Sequence, residues 1–166
     1  YAVRTRENLD ADIVLWPETA LPAFYHQLRT PYFSDLDGAG EASRTAIITG
    51  TLWAEGEAAY NAMVGIGRAD GVYKKIHLVP LGEYFPLEPV VRFLMPGLDI
   101  PMSDMSAGEF DQAPLTVGGV PVAPTICYED AFGELTRRLL PEARLLVSVS
   151  NDAWFGDSFA PHQHLQ

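Results

Sequence analysis

Three residues of the sequence form a chemically complete set for acyl transfer: a carboxylate, Glu18, an ammonium, Lys75, and the chain's single thiol, Cys127. A free thiol ionises near about pH 8.5 and is mostly protonated at neutrality, so a nucleophilic cysteine needs a base or a positive neighbour. Glu18 would remove the proton, and Lys75 would stabilise both the thiolate and a tetrahedral oxyanion. Each residue also has a plainer reading. A lone buried cysteine is more often a small hydrophobe. Glu18 could begin a helix, since acids favour the first turn. Lys75 could be a solvated strand residue like its neighbour Lys74. Residue type and spacing leave both readings open.

The elements expected around these residues place all three alike. Residues 12–16 (DIVLW) are a short apolar run stopped by Pro17, the pattern of a buried strand. Residues 46–52 (AIITGTL) and 59–67 (AYNAMVGIG) are β-rich and separated by Glu55-Gly56-Glu57, a hairpin signal. Asp70-Gly71 marks a turn before a strand over 72–77, which holds Lys75. Val117-Gly118-Gly119-Val120 reads as a hairpin into a strand over 122–127 that Cys127 closes. Helices are expected over 1–9, 21–28, 88–95 and 132–140, a solvated acidic loop over 30–43, and a last strand over 144–150. Two strand–helix–strand crossovers with hairpins between them predict an α/β domain with a mixed sheet buried on both faces. In open α/β sheets, sites gather beyond strand carboxyl ends, where Glu18, Lys75 and Cys127 all fall.

Composition narrows the partners. The chain has 166 residues, 11 Lys+Arg against 22 Asp+Glu and a net charge of −11, with 48% hydrophobic residues. That is a globular composition, and its acid excess argues against nucleic acid and against charge-driven docking on an anionic membrane. The uncharged run 112–128 is interrupted by three prolines and two glycines, so it is not a spanning helix. One cysteine excludes an intrachain disulfide. The chain lacks an initiator Met and stops mid-phrase at Pro161-His-Gln-His-Leu-Gln166, which reads as a fragment, a single partial domain over 1–166.

Four stretches carry a resemblance: 14–22 (VLWPETALP), 73–86 (YKKIHLVPLGEYFP), 125–129 (TICYE) and 150–166 (SNDAWFGDSFAPHQHLQ). Together they resemble the bacterial apolipoprotein N-acyltransferase family and, more broadly, the nitrilase or carbon–nitrogen hydrolase superfamily. The resemblance implies a nitrilase-like four-layer α-β-β-α sandwich, incomplete at both ends. It implies Glu18 as general base, Lys75 as oxyanion-stabilising lysine, Cys127 as nucleophile, Glu83 as a supporting glutamate and Glu129 as an acid important for activity. The implied reaction takes an acyl chain from a phospholipid donor onto Cys127 as a thioester. The acceptor is the α-amine of the S-diacylglyceryl cysteine at a lipoprotein N-terminus. It further implies a catalytic domain on the periplasmic side of the bacterial inner membrane, held by segments outside this chain, with no cofactor. The alternative within the superfamily is a soluble amidase using the same Glu-Lys-Cys chemistry with water as acceptor. A non-catalytic lipid- or peptide-binding relic is disfavoured because all three catalytic positions are intact.

Other features carry weaker signals. Residues 85–105, with three of the four Met, read as ordinary core under a short helix or as an adaptable lipid-facing flap. Trp154 and Phe155 could rim an acyl pocket or simply pack together. His162 and His164 lack partners at ligand spacing, so no metal is expected. His77 is expected to be structural, and Asn151-Asp152 to organise the loop after the last strand.

Overall fold

The computed structural model describes residues 1–86, 93, 104–159 and 161–162, with the side chains of Pro31, Trp154 and Phe155 outside that description. The strongest β signal in the chain becomes its central strand, β3 (Ala46–Glu55), buried over its first seven residues. Its hairpin partner β4 (Ala58–Gly67) pairs with it antiparallel along its whole length, turning at Gly56 as the sequence predicts. On the other edge of β3 lie two short strands in succession, both parallel to it: β1 (Ile13–Leu15) against Ala46–Ile48, and β2 (Leu21–Phe24) against Thr51 and Leu52. A two-residue strand, β5 (Ala69–Asp70), leads into β6 (Val72–Lys74), which pairs with β4 and completes this five-stranded sheet.

A second sheet runs β5, β7 (Leu115–Val117), β8 (Val120–Ile126) and β9 (Leu145–Val149). The β7–β8 hairpin turns on Gly118 and Gly119, both with positive φ. Strands β8 and β9 are parallel and joined by a crossover holding α4 (Gly133–Leu139). There are thus two mixed sheets where the strand pattern alone predicted one, and the four-layer family reading is the closer description.

Period-two alternation sorts the core. Ala46 and Ile48 of β3 and Met63 of β4 face the second sheet, meeting Leu115, Val122, Ile126, Val147 and Val149, with Leu135 of α4 in the same cluster. Ile47, Val64 and Ile66 face the other way, onto Trp16, Phe33 and Leu36 beneath the helical layer. That layer comprises α1 (Ala2–Arg6), α2 (Tyr25–Leu28), a π-helical turn at Arg29–Phe33 and α3 (Ser34–Ser43).

Several boundaries differ from expectation. The solvated loop over 30–43 is helical instead. Leu36 and Gly40 are buried on the first sheet, and Asp37 accepts a hydrogen bond from the Gly67 N–H at 2.6 Å. A Cβ on Gly40 would lie 3.0 Å from Gly67 Cα, so the glycine that reads as a loop signal is the residue that lets α3 approach the strand. Residues 21–28 are a strand followed by one helical turn, because pairing with β3 overrides the local helical preference. Strand β6 stops at Lys74 and β8 at Ile126, which leaves Lys75 and Cys127 just past their strands. The expected helix over 88–95 and nearly all of the flap over 85–105 lie outside the described residues.

Candidate active site

Glu18 is set by a gap between strands. The chain leaves β3's edge after Trp16, whose N–H still donates to the Ile48 carbonyl, and rejoins it at Leu21. Between them it passes directly over Gly50. A Cβ on Gly50 would fall 2.5 Å from Pro17 O, 2.6 Å from Thr19 N and 2.7 Å from Glu18 Cα. Only a glycine allows this crossing, which turns the Glu18 side chain into the protein.

Lys75 follows β6, its N–H donating to the Asn61 carbonyl on β4 at 2.8 Å. Its ammonium is 1% exposed and reaches Glu18 Oε1 at 3.2 Å and both Glu83 oxygens, Oε1 at 3.0 Å and Oε2 at 2.9 Å. Asn61, unremarked in the sequence, lies between the two carboxylates: its Nδ2 donates to Glu18 Oε1 at 2.7 Å and to Glu83 Oε1 at 2.8 Å. Glu83 Oε2 also accepts from the Val79 N–H at 2.9 Å, so the loop carrying Glu83 is tied through its own carboxylate. Burial works against the Lys75 charge, but attraction to Glu18 and Glu83 outweighs it and raises its pKa above the usual lysine value.

Cys127 opens a 3-10 turn, Cys127–Ala131, immediately beyond β8, with φ of 52°. A left-handed conformation in a non-glycine residue costs on the order of 1–3 kcal/mol and persists where surrounding structure holds it. Four non-glycine residues share it among the described ones. Three of them flank this site: Thr19 beside Glu18, Leu81 two before Glu83, and Cys127 itself. The fourth, Arg44, caps a helix. Burial, the Glu18 charge and a thiol-to-Glu18 hydrogen bond push the Cys127 pKa up to about 12, against the opposing pull of Lys75. These influences favour the neutral thiol over the thiolate, and the hydrogen bond directs it to Glu18.

Glu129 does not touch the reacting atoms. It is fully buried, and its carboxylate gathers donors from both sides of the site: the N–H groups of Ile76 (2.6 Å), His77 (3.1 Å) and Ile126 (2.8 Å), and the Tyr73 hydroxyl at 3.0 Å from each oxygen. It thereby pins the backbone after Lys75 to the backbone before Cys127. Asp130 adds a second tie, accepting from Thr125 and Ser148 hydroxyls at 2.6 Å each.

An open cleft of about 480 Å³ adjoins these residues, walled by Ile76, His77, Leu78, Met105, Tyr128 and Phe132 among others. The His77 ring stacks on Phe132 at 3.9 Å, and its N–H serves Glu129, in keeping with a structural residue. Asn151 accepts from the Ala153 N–H and so shapes the loop after β9, as the sequence suggests. The backbone of Trp154 and Phe155 forms a 3-10 turn, Asp152–Phe155, but the pocket rim assigned to their side chains lies outside the described set, as does His164.

A thiol, two carboxylates and a lysine thus meet at the strand ends of two facing sheets. The chain belongs to the carbon–nitrogen hydrolase family, whose sequence model matches residues 1–166. Among curated proteins, the apolipoprotein N-acyltransferase of Methylococcus capsulatus is 45% identical over all of this chain, which spans 33% of that protein. The apolipoprotein N-acyltransferase of Nitrosomonas europaea is 44% identical, again over 100% of this chain and 34% of its own length. The chain thus covers about a third of the relatives it matches. Solved structures give the same fold at low identity. A carbon–nitrogen hydrolase from Helicobacter pylori G27 matches with a TM-score of 0.62 and 14% identity, over 90% of this chain and 51% of that one. The NitFhit protein of C. elegans matches with a TM-score of 0.60 and 16% identity, over 93% of this chain and 40% of that one.

Proposed function

We propose that this chain is the catalytic domain of an apolipoprotein N-acyltransferase. The observation that carries the reading is the convergence of Glu18, Lys75, Glu83 and Cys127 in one hydrogen-bonded cluster, in a chain aligned end to end with proteins of that name. In the first half-reaction Glu18 takes the thiol proton as Sγ attacks a phospholipid ester carbonyl. Lys75 stabilises the oxyanion. The C–O bond then breaks, and the leaving lysophospholipid alkoxide takes the proton back from Glu18. In the second half, the α-amine of a diacylglyceryl cysteine attacks the thioester, Glu18 accepts the amine proton, and Sγ leaves and is reprotonated. No cofactor enters either step. The thioester divides one hard exchange into two easier ones.

Charge conservation favours this use of Glu18. Two carboxylates already surround one ammonium, so ionising the thiol outright would add a second net negative charge in a buried site. Moving its proton onto Glu18 leaves the net charge unchanged. The open cleft that Tyr128, next to Cys127, helps to wall would receive an acyl chain against Ile76, Leu78, Met105 and Phe132. Among the described residues no helix is long and apolar enough to cross a membrane. Attachment to the bacterial inner membrane, with this domain on the periplasmic side, is assigned to segments outside this chain.

The test uses the full-length protein in phospholipid vesicles with a synthetic S-diacylglyceryl peptide and, separately, small amides. The expected result is N-acylated peptide and no ammonia. Ammonia release without peptide acylation would replace this reading with a nitrilase-type amidase. Cys127→Ala and Glu18→Gln are expected to abolish transfer while leaving the fold intact, and Lys75→Met to block thioester formation.

A further inference from the structure

Glu129 is an unusual buried carboxylate, because every donor that reaches it among the described residues is neutral. Three are backbone N–H groups, those of Ile76, His77 and Ile126. The fourth, the phenol of Tyr73, is the sole side-chain donor and is itself 0% exposed. Tyr73 stands on β6 of the first sheet, two residues before Lys75, and Glu129 in the 3-10 turn that follows β8, two residues after Cys127. We propose that Tyr73 is a positioning residue for the reaction: its hydroxyl keeps Glu129 an anion, and that anion holds the backbone beside Lys75 and Cys127 in reactive geometry. The proposal rests on the acyltransferase reading of the same site.

The argument is one of acceptor capacity. An ionised carboxylate offers about four lone-pair sites, enough for all four groups. A protonated one loses acceptor capacity and gains a proton that only the phenol oxygen could take, so the N–H groups of Ile76, His77 or Ile126 would lose their partner. Burial already favours the protonated form and raises the Glu129 pKa against the pull of these donors. The groups that face it are Tyr73 from β6, the backbone of Ile76 and His77 from the following loop, and Ile126 from β8. The titratable side chains nearest along those segments are His77, Lys75 and Cys127. Removing the phenol therefore tips a balanced group toward protonation.

The experiment follows the rate of thioester formation on Cys127 against pH in full-length protein with phospholipid vesicles. Wild type, Tyr73→Phe, Glu129→Gln and the double variant are compared. Losing a hydrogen bond to a charged group is expected to move the acid limb of Tyr73→Phe upward by about one to two pH units, with a near-normal rate above it. In the Glu129→Gln background the second change should add no shift. Should Tyr73→Phe fail to fold, 3-fluorotyrosine at position 73 keeps the size and is the stronger donor, and its acid limb should move downward. Superimposed profiles, or a uniform loss at every pH, would overturn the proposal. If wild type forms no thioester, the acyltransferase reading falls. Tyr73 is then judged on alkylation of Cys127 by iodoacetamide, whose acid limb must shift upward in Tyr73→Phe or the proposal falls too.

Discussion

At Cys127 burial and the nearby carboxylate outweigh the lysine and raise the thiol pKa. A thiol raised to about 12 ionises only as pH climbs well past neutrality, so iodoacetamide alkylation of Cys127 should keep rising with pH. No plateau is expected below about pH 10. A plateau near neutrality would mean a preformed thiolate and a different division of labour. Asn61 is the residue whose importance the sequence conceals. Within AYNAMVGIG it reads as a stray polar residue in a strand. Its role comes from Glu18 and Glu83, 43 residues before it and 22 after, which meet only in the fold. Asn61→Ala removes two hydrogen bonds to charged groups, and thioester formation should slow by about tenfold or more. Strand-end placement made Glu18, Lys75 and Cys127 candidates, and the family-like stretches around them decided against the plainer readings. Asn61, Gly50 and Tyr73 look ordinary until their partners are known.

At the scale of elements, the site depends on short segments that local pattern describes poorly. The run from Trp16 to Ala20 is neither strand nor helix, and Gly50 beneath it decides where Glu18 points. Gly50→Ala would push a Cβ into the Glu18 backbone, so we expect a large loss of activity with a lower thermal midpoint, measured on the full-length protein in detergent. Strand β6 is held on its outer edge by a side chain. Gln112 accepts from the Lys74 N–H at 2.9 Å and donates to the Lys74 carbonyl at 2.8 Å, acting as a one-residue strand. Beside it the Gly108 N–H donates to the Lys75 carbonyl, and a Cβ there would lie 2.4 Å from Lys74 O. Gln112→Ala should slow acylation while Gln112→Glu retains part of the rate, since glutamate keeps the acceptor and loses the donor. Equal rates in all three proteins would show that this tie is dispensable. Most strands and both parallel crossovers were readable from hydrophobic period and glycine turns, but β2 was expected as a helix. Helix α3 was not readable, because Gly40 serves packing across 27 residues of sequence, against Gly67.

In the molecule as a whole, two sheets meet where the chemistry must occur, and one buried carboxylate joins them. Glu18, Lys75 and Tyr73 come from the first sheet and the segments beside its strands, Cys127 and Glu129 from the turn that follows β8 of the second. Beside the shared apolar core, the Glu129 carboxylate ties the backbone after Lys75 to the backbone before Cys127. The −11 charge gives this domain no net electrostatic attraction to an anionic bilayer. The most direct test of the account is the intact mass of full-length protein incubated with a phospholipid of defined acyl chains and no acceptor. The account predicts one added acyl group, mapped to Cys127, released by hydroxylamine and absent from Cys127→Ala. Folded wild-type protein that acquires no acyl mass, or one that maps to another residue, would contradict it.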